Sequence, residues 1–163
     1  MFTRILAPTD FSPGADAALS YARTLAEKFG ASLQLLHVME DPVASVMMSV
    51  DSYVPDLPEL RESMVQEAAT QLEGRLSEKD RTVLKATGVA MFGSGARCIV
   101  DYATEQDVDL IVMGTHGRTG MSHLLMGSVA ERVVRTAPCA VMTVREPARP
   151  RAQAAAANDR VAV

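Results

Sequence analysis

The run Leu110-Ile111-Val112-Met113 contains no polar residue and stops at Gly114. Consecutive apolar residues of this kind suit a strand buried on both faces, which occurs where helices cover both sides of a parallel sheet. The chain continues as Thr115-His116-Gly117-Arg118-Thr119-Gly120 and reaches Gly127-Ser128-Val129-Ala130-Glu131 further on. The stretch reads as a strand, a glycine-rich loop and a helix that starts at a serine, with the skeleton Gly114-x2-Gly117-x9-Gly127-Ser128. Glycines that lead into a helix N-terminus expose backbone N–H groups and a partial positive charge, which suit phosphate. Nucleotide binding at this loop is the first functional expectation.

The rest of the chain alternates between strand-like and helix-like patterns. Ile5, Leu6 and Ala7 are consecutive in a short apolar run from Phe2 to Pro8, and Pro8-Thr9-Asp10 marks its end. Ser12-Pro13 is a helix start, after which Ala18, Ala22, Leu25 and Phe29 recur at helical spacing until Gly30. Ser32 to Val38 predicts the second strand, completing a βαβ unit. From Leu57 to Lys79 the positions Leu60, Met64, Ala68, Leu72 and Leu76 mark one face of a long helix. Val83 to Met91 predicts a third strand, placed at a sheet edge because Lys85, Thr87 and Gly88 are too polar for a centre. After Gly93-Ser94-Gly95, a third helix is described by Ala96, Ile99, Val100 and Ala103. Ser128 to Ala137 is the fourth helix, with Ser128-x-x-Glu131 as a capping box and Pro138 beyond its end. Ala140 to Val144 is the fifth strand.

This alternation predicts an open parallel α/β sheet with helices on both faces. Ligands of such sheets sit beyond the carboxyl ends of the strands, where the strand order reverses. The first and fourth strands, ending at Asp10 and Gly114, are expected to flank that point.

Composition narrows the function classes. A chain of 163 residues with 48% hydrophobic and 22% charged residues suits one globular domain, placed at residues 1–146. A Pro-, Ala- and Arg-rich tail at 147–163 is expected to be disordered. The net charge of −4, the 4% aromatic content and the absence of Trp argue against nucleic acid as a partner. No apolar run approaches the roughly 18 residues of a spanning helix, and Met1 to Asp10 contains no signal-peptide core, so a cytoplasmic protein away from membranes is expected. Cys98 and Cys139 form no Cys-x-x-Cys pair and read as small buried apolar residues. His37, His116 and His123 lack metal-ligand spacing, so no transition-metal site is expected. Residues 40–56, with Met47, Met48, Val50 and Tyr53, have no clean period. They read either as a flap or partner surface or as a loop packed on the side of the domain.

Pro8-Thr9-Asp10, Ile111 to Gly120, Leu125 to Val133 and Pro138-Cys139 together resemble the universal stress protein family, in element order over roughly residues 1 to 145. The resemblance implies an adenine nucleotide alpha hydrolase-like fold, with five parallel strands in the order 3-2-1-4-5. Family members with the Gly-x2-Gly-x9-Gly-Ser/Thr pattern typically bind ATP, and every position of that pattern is present. Carried over by position, the resemblance implies that Gly114, Gly117, Gly127, Ser128 and Val129 hold phosphates and ribose. Asp10 contacts the nucleoside, the backbone of Val38 meets the adenine edge, and Pro8, Thr9, Met113, His116 and Arg118 line the remainder.

Each assignment has a plainer alternative. The glycines also suit turns that require positive φ, Asp10 suits a turn before Ser12, and Ser128 is explained by its capping box alone. Arg118 also reads as a solvated charge, and His116 and His123 as structural or exposed residues. No catalytic residue is assigned. There is no Gly-x4-Gly-Lys-Ser/Thr, the only lysines are Lys28, Lys79 and Lys85, and no acidic pair near the loop offers a magnesium site or base. Magnesium is expected only as a companion of the nucleotide's phosphates. If the fifth strand is an edge, Ala140 to Val144 invites pairing with a second copy, as the family commonly does, unless Arg145, Glu146 and Pro147 blunt it. The expected function is a homodimeric, ATP-binding sensor or adaptor in the stress response, with a protein partner not identified by the sequence. Its rivals are a slow magnesium-dependent ATPase and a nucleotide-independent dimeric interaction module.

Overall fold

The computed structural model describes residues 1–42, 57–117 and 126–145. Most of the loop at 40–56 that was read as a flap or a packed loop, the site residue Arg118, His123 and the tail at 147–163 lie outside the described residues. Among the described residues five strands are present: β1 (Arg4–Thr9), β2 (Ser32–Met39), β3 (Thr87–Phe92), β4 (Leu110–Gly114) and β5 (Ala140–Val144). They form one sheet in the order β3-β2-β1-β4-β5, and every pair is parallel. The strand order, the edge position of β3 and the reversal between β1 and β4 agree with the sequence expectation.

Consecutive residues of the central strands serve two cores. Ile5, Ala7, Leu33, Leu35, Leu110 and Val112 share a core with α1 (Pro13–Phe29) and α2 (Leu57–Arg75), and the short α3 (Glu78–Val83) follows α2. Leu6, Leu36, Ile111 and Met113 face α4 (Gly95–Glu105) and α5 (Ser128–Thr136). Ile5 and Leu6 are both 0% exposed, because side chains alternate across a sheet that is covered on each side. On α1, Ser12 caps the start through Ala15 N–H, and Gly30 closes the end at φ 66 with its N–H on the Ala26 carbonyl.

The pairing of β1 with β4 is short. Ile5 lies opposite Leu110 and Leu6 opposite Ile111, whereas β1 follows β2 up to Thr9–His37 and β4 follows β5 up to Gly114–Val144. The two central strands therefore part towards their carboxyl ends. At their amino ends Asp109 holds them together, with its Oδ2 accepting the Thr3 N–H at 2.7 Å, the Thr3 hydroxyl at 2.7 Å and the Arg4 N–H at 2.9 Å.

The region between α2 and β3 corrects the sequence reading. The single helix expected over 57–79 ends at Arg75, and a separate helix begins at Glu78, so β3 starts at Thr87 rather than Val83. Ala68, Leu72 and Leu76 remain buried as the helical stripe required. The break lies at Ser77, whose Oγ accepts the Asp80 N–H while Asp80 Oδ2 accepts the Ser77 N–H, a reciprocal capping box that starts a new helix.

Asp80 is 4% exposed and accepts Arg23 Nε at 3.1 and 3.0 Å on its two oxygens. Burial pushes its carboxyl up, but the hydrogen bonds from Ser77 and the positive charge of Arg23 outweigh this and hold it below the ordinary carboxylate value. A depressed folded-state pKa contributes stability that is complete above the unfolded carboxylate pKa of about 3.9 and is lost as pH falls through the folded value. Asp80→Asn is expected to lower unfolding free energy at neutral pH by about 1–3 kcal/mol. Urea titrations at neutral pH and at lower pH should show the gap between variant and parent shrinking below about pH 4.

Candidate functional site

Where β1 and β4 part, the turn after β1 meets the loop after β4. The chain leaves β1 through Thr9-Asp10-Phe11 and enters α1 at Ser12. Asp10 Oδ1 accepts the Ser12 N–H at 3.1 Å and the Ser12 hydroxyl at 2.6 Å, and Thr9 Oγ1 accepts the Phe11 N–H at 3.0 Å. The expected turn role of Asp10 is therefore present in one oxygen. The other, Oδ2, faces the loop after β4, where a Cβ built on Gly117 would lie 2.6 Å from it.

The glycines of this loop are required by close approach. A Cβ on Gly114 would stand 3.1 Å from the Gly14 backbone at the start of α1, and one on Gly127 would stand 3.3 Å from the Thr115 carbonyl oxygen. Among the described glycines, positive φ is confined to Gly30 and Gly93. The turn-only explanation of Gly114, Gly117 and Gly127 is thus replaced by a steric one. Gly127 N–H donates to Thr115 O at 2.7 Å, and Thr115 N–H donates to Val144 O at 2.9 Å, so the loop is fastened at both visible ends.

The start of α5 also differs from expectation. Gly127, at φ −73 and ψ 155, is the N-cap, and Ser128 is already helical. A capping side chain must come from the extended residue before the helix, so the Ser128–Glu131 box is not formed. Glu131 instead pairs with Arg135 at 2.8 Å along the helix. Among the described residues no side chain caps α5, nor does Ser94 cap α4 through its side chain. Two helix N-termini thus present backbone donors and partial positive charge to the same space.

That space is a cavity of about 230 Å³. Pro8, Thr9 and Asp10 form one wall, and Val38 and Met113 line the sheet side. Gly114, His116 and Gly117 form the loop wall, with Gly127, Ser128 and Val129 at the start of α5. Every described residue that the resemblance assigns to the nucleotide site thus lines one cavity, while Arg118 lies outside the described residues. His116 Nδ1 lies 3.0 Å from Thr115 Oγ1, which fixes its ring beside the cavity.

Six further lining residues were missed: Ala15, Leu36, Gly95, Ile99, Thr115 and Ala130. Leu36 was accessible to pattern reasoning, because it shares a sheet face with Val38 two residues on. Gly95 and Ile99 were not, because only packing brings the start of α4 beside Val129, whose Cγ2 would be 3.6 Å from a Cβ on Gly95. Cys98 and Cys139 are half-buried, where full burial was expected, and burial raises the pKa of both thiols. Among the described residues no group of three or more His, Cys, Asp or Glu is arranged to hold a metal, and no helix is long and apolar enough to cross a membrane.

Comparison with known proteins places this geometry in a family. The model of the universal stress protein family matches residues 1–145. A universal stress protein of Methanocaldococcus jannaschii is 33% identical over 147 residues, covering 90% of this chain and 84% of the relative. A second one from that organism is 29% identical over 158 residues, covering 89% and 96%. The solved structure of the latter superposes with a TM-score of 0.75 over 91% of this chain and 99% of its own. Two more distant structures share the fold. One is a universal stress protein in complex with cAMP, at 20% identity and a TM-score of 0.60, covering 90% of this chain and 99% of that one. The other is an Arabidopsis thaliana family protein with AMP bound, at 18% identity and a TM-score of 0.62, covering 90% and 93%. With the strand order, the crevice between β1 and β4 and the matched length in agreement, this chain belongs to the universal stress protein family.

Proposed function

We propose that the protein binds an adenine nucleotide, ATP accompanied by magnesium, and acts as a nucleotide-dependent sensor or adaptor in the stress response. The carrying observation is the start of α5, whose N-cap Gly127 offers no side chain to cap it and which opens on the cavity between Asp10, Gly114 and Gly117. Anions belong at such a terminus. Ser128 and Val129 with Gly114, Gly117 and Gly127 would hold the phosphates and ribose, Asp10 would face the nucleoside, and the Val38 backbone would meet the adenine edge. The bound cAMP and AMP of the two distant fold neighbours are compatible with this occupant. The cavity is smaller than the about 300–1,000 Å³ of pockets for drug-sized ligands, so the described residues enclose only part of a nucleotide.

The described lining favours holding over hydrolysis. It contains no lysine, and Asp10 is its only carboxylate. A magnesium ion would bridge phosphate oxygens and keep its remaining waters.

A dimer through β5 is part of the same proposal. The strand is outermost in the sheet and apolar apart from Thr143. Because Val144 O accepts from Thr115 on the β4 side, the alternation of the strand turns the backbone of Thr143 outward. A second copy can pair with that edge and close a two-fold dimer.

Denaturing the purified protein is expected to release an adenine nucleotide, and the stripped protein should take up ATP in a calorimetric titration. Absence of both a released nucleotide and binding at millimolar ATP would refute the assignment. Gly117→Val should displace the Asp10 carboxylate and weaken ATP by at least about tenfold, equivalent to about 1.4 kcal/mol, with an unchanged circular dichroism spectrum. Unchanged affinity would remove this loop from the site. Thr143→Pro, which deletes an outward N–H, should convert the dimer to a monomer in sedimentation equilibrium; an unaltered mass would exclude the β5 edge as the interface.

A further inference from the structure

Phe11, between Asp10 and Ser12, has φ +65, a left-handed conformation that is costly for a bulky side chain. It is also the residue at which the chain turns from β1 into α1, so its backbone sets where the Asp10 carboxylate points. The Phe11 ring packs against the core on the α1–α2 side of the sheet, whereas the sheet residues lining the cavity, Leu36, Val38 and Met113, belong to the opposite face. The turn is therefore supported from behind the site.

Two side chains provide that support. The ring of His37 on β2 lies 4.2 Å from the Phe11 ring, centroid to centroid. His37 Nδ1 is 2.8 Å from the Thr9 carbonyl oxygen, which can only accept, so Nδ1 carries the proton. The guanidinium carbon of Arg75 lies 4.5 Å from the Phe11 ring centroid. Arg75 Nη2 donates to the Phe11 carbonyl at 3.2 Å, and Nε donates to Asp16 Oδ1 in the first turn of α1 at 2.9 Å. The Arg75 carbonyl accepts from Arg23 Nη2, and Arg23 is paired with buried Asp80, so the last residue of α2 is itself anchored. One planar cation thus holds the ring, the carbonyl and the following helix of a strained residue, a combination beyond the reach of an ammonium group.

We propose that Arg75 is a positioning residue for the nucleotide site: acting through Phe11, it holds the left-handed turn that aims Asp10 at Gly117. The proposal rests on the nucleotide-binding reading for its effect on affinity, but its structural half is testable without ligand.

The ligand-free test is amide exchange, followed by NMR in the full chain, of the Ser12 N–H that Asp10 Oδ1 accepts. Arg75→Ala is expected to accelerate that exchange by about tenfold or more while amides of β2 and β4 keep their protection. The affinity test is a calorimetric titration with magnesium and ATP, in which Arg75→Ala should weaken binding by about three- to tenfold. Val108→Ala, a buried change in the opposite core just before β4, is expected to destabilise the fold and leave ATP affinity within about twofold of the parent. Arg75→Lys should behave like the alanine variant, and it takes the place of Arg75→Ala if the latter fails to fold. In a Phe11→Gly background the turn no longer needs the strap, because glycine adopts positive φ freely, so adding Arg75→Ala should leave affinity unchanged. Unaltered Ser12 exchange in Arg75→Ala, or an equal loss of affinity with and without Phe11, would overturn the proposal. If the parent binds no ATP, the nucleotide reading falls, and faster Ser12 exchange in Arg75→Ala would still support the strap.

Discussion

Asp109 binds Thr3 and Arg4 and so locks the amino ends of β1 and β4, and the two strands separate after Leu6 and Ile111. The cavity depends on this difference between their two ends. If β1 and β4 stayed paired to their carboxyl ends, Pro8-Thr9 and Met113-Gly114 would lie side by side as a closed sheet. Because each follows its outer neighbour, β2 or β5, the crevice opens where the strand order reverses, as expected for ligand sites in sheets of this class. Pro8 fits this parting, since it has no N–H to offer a neighbouring strand.

Within the crevice, distance decides which residues are tolerated. Gly114 lies against the Gly14 backbone and Gly117 against the Asp10 carboxylate, so the loop after β4 and the turn after β1 touch where any larger residue would force them apart. The same economy operates at α5. A serine one position earlier would cap the helix and occupy donors of its first turn. With Gly127 at that position, the helix gives up only about a few tenths of a kcal/mol against a serine cap and keeps its terminus open towards the cavity.

Much of this was readable in the sequence, for identifiable reasons. Ile5-Leu6 and Leu110 to Met113 announced strands covered on both sides, and Ser12-Pro13 with Gly30 bounded α1, because both signals are local. Two Ser-x-x-acid patterns show the limit of that reading. Ser77-x-x-Asp80 forms its reciprocal bonds and breaks an otherwise continuous helical stripe, whereas Ser128-x-x-Glu131 forms none because α5 starts one residue too early. Spacing alone does not distinguish them; the backbone conformation at the serine does. Leu36 could have been found from its two-residue offset to Val38, but Gly95, Ile99 and the Arg75–Phe11 contact depend on packing between distant segments.

The energetic layout of the turn follows from these contacts. A residue in a strained conformation persists only where its surroundings over-determine it. At Phe11 the ring and the carbonyl are held from behind the site: the ring lies between His37 and Arg75, and the carbonyl accepts from Arg75. Beside it, Thr9 Oγ1 accepts the Phe11 N–H, and Asp10 Oδ1 accepts the Ser12 N–H and hydroxyl. Strain at the site is therefore offset by the core of the α1–α2 face rather than by groups that a ligand would have to displace. The second oxygen of Asp10 lies towards Gly117. The Phe11 contacts couple the orientation of that oxygen to the last residue of α2, a helix that contributes nothing to the cavity wall.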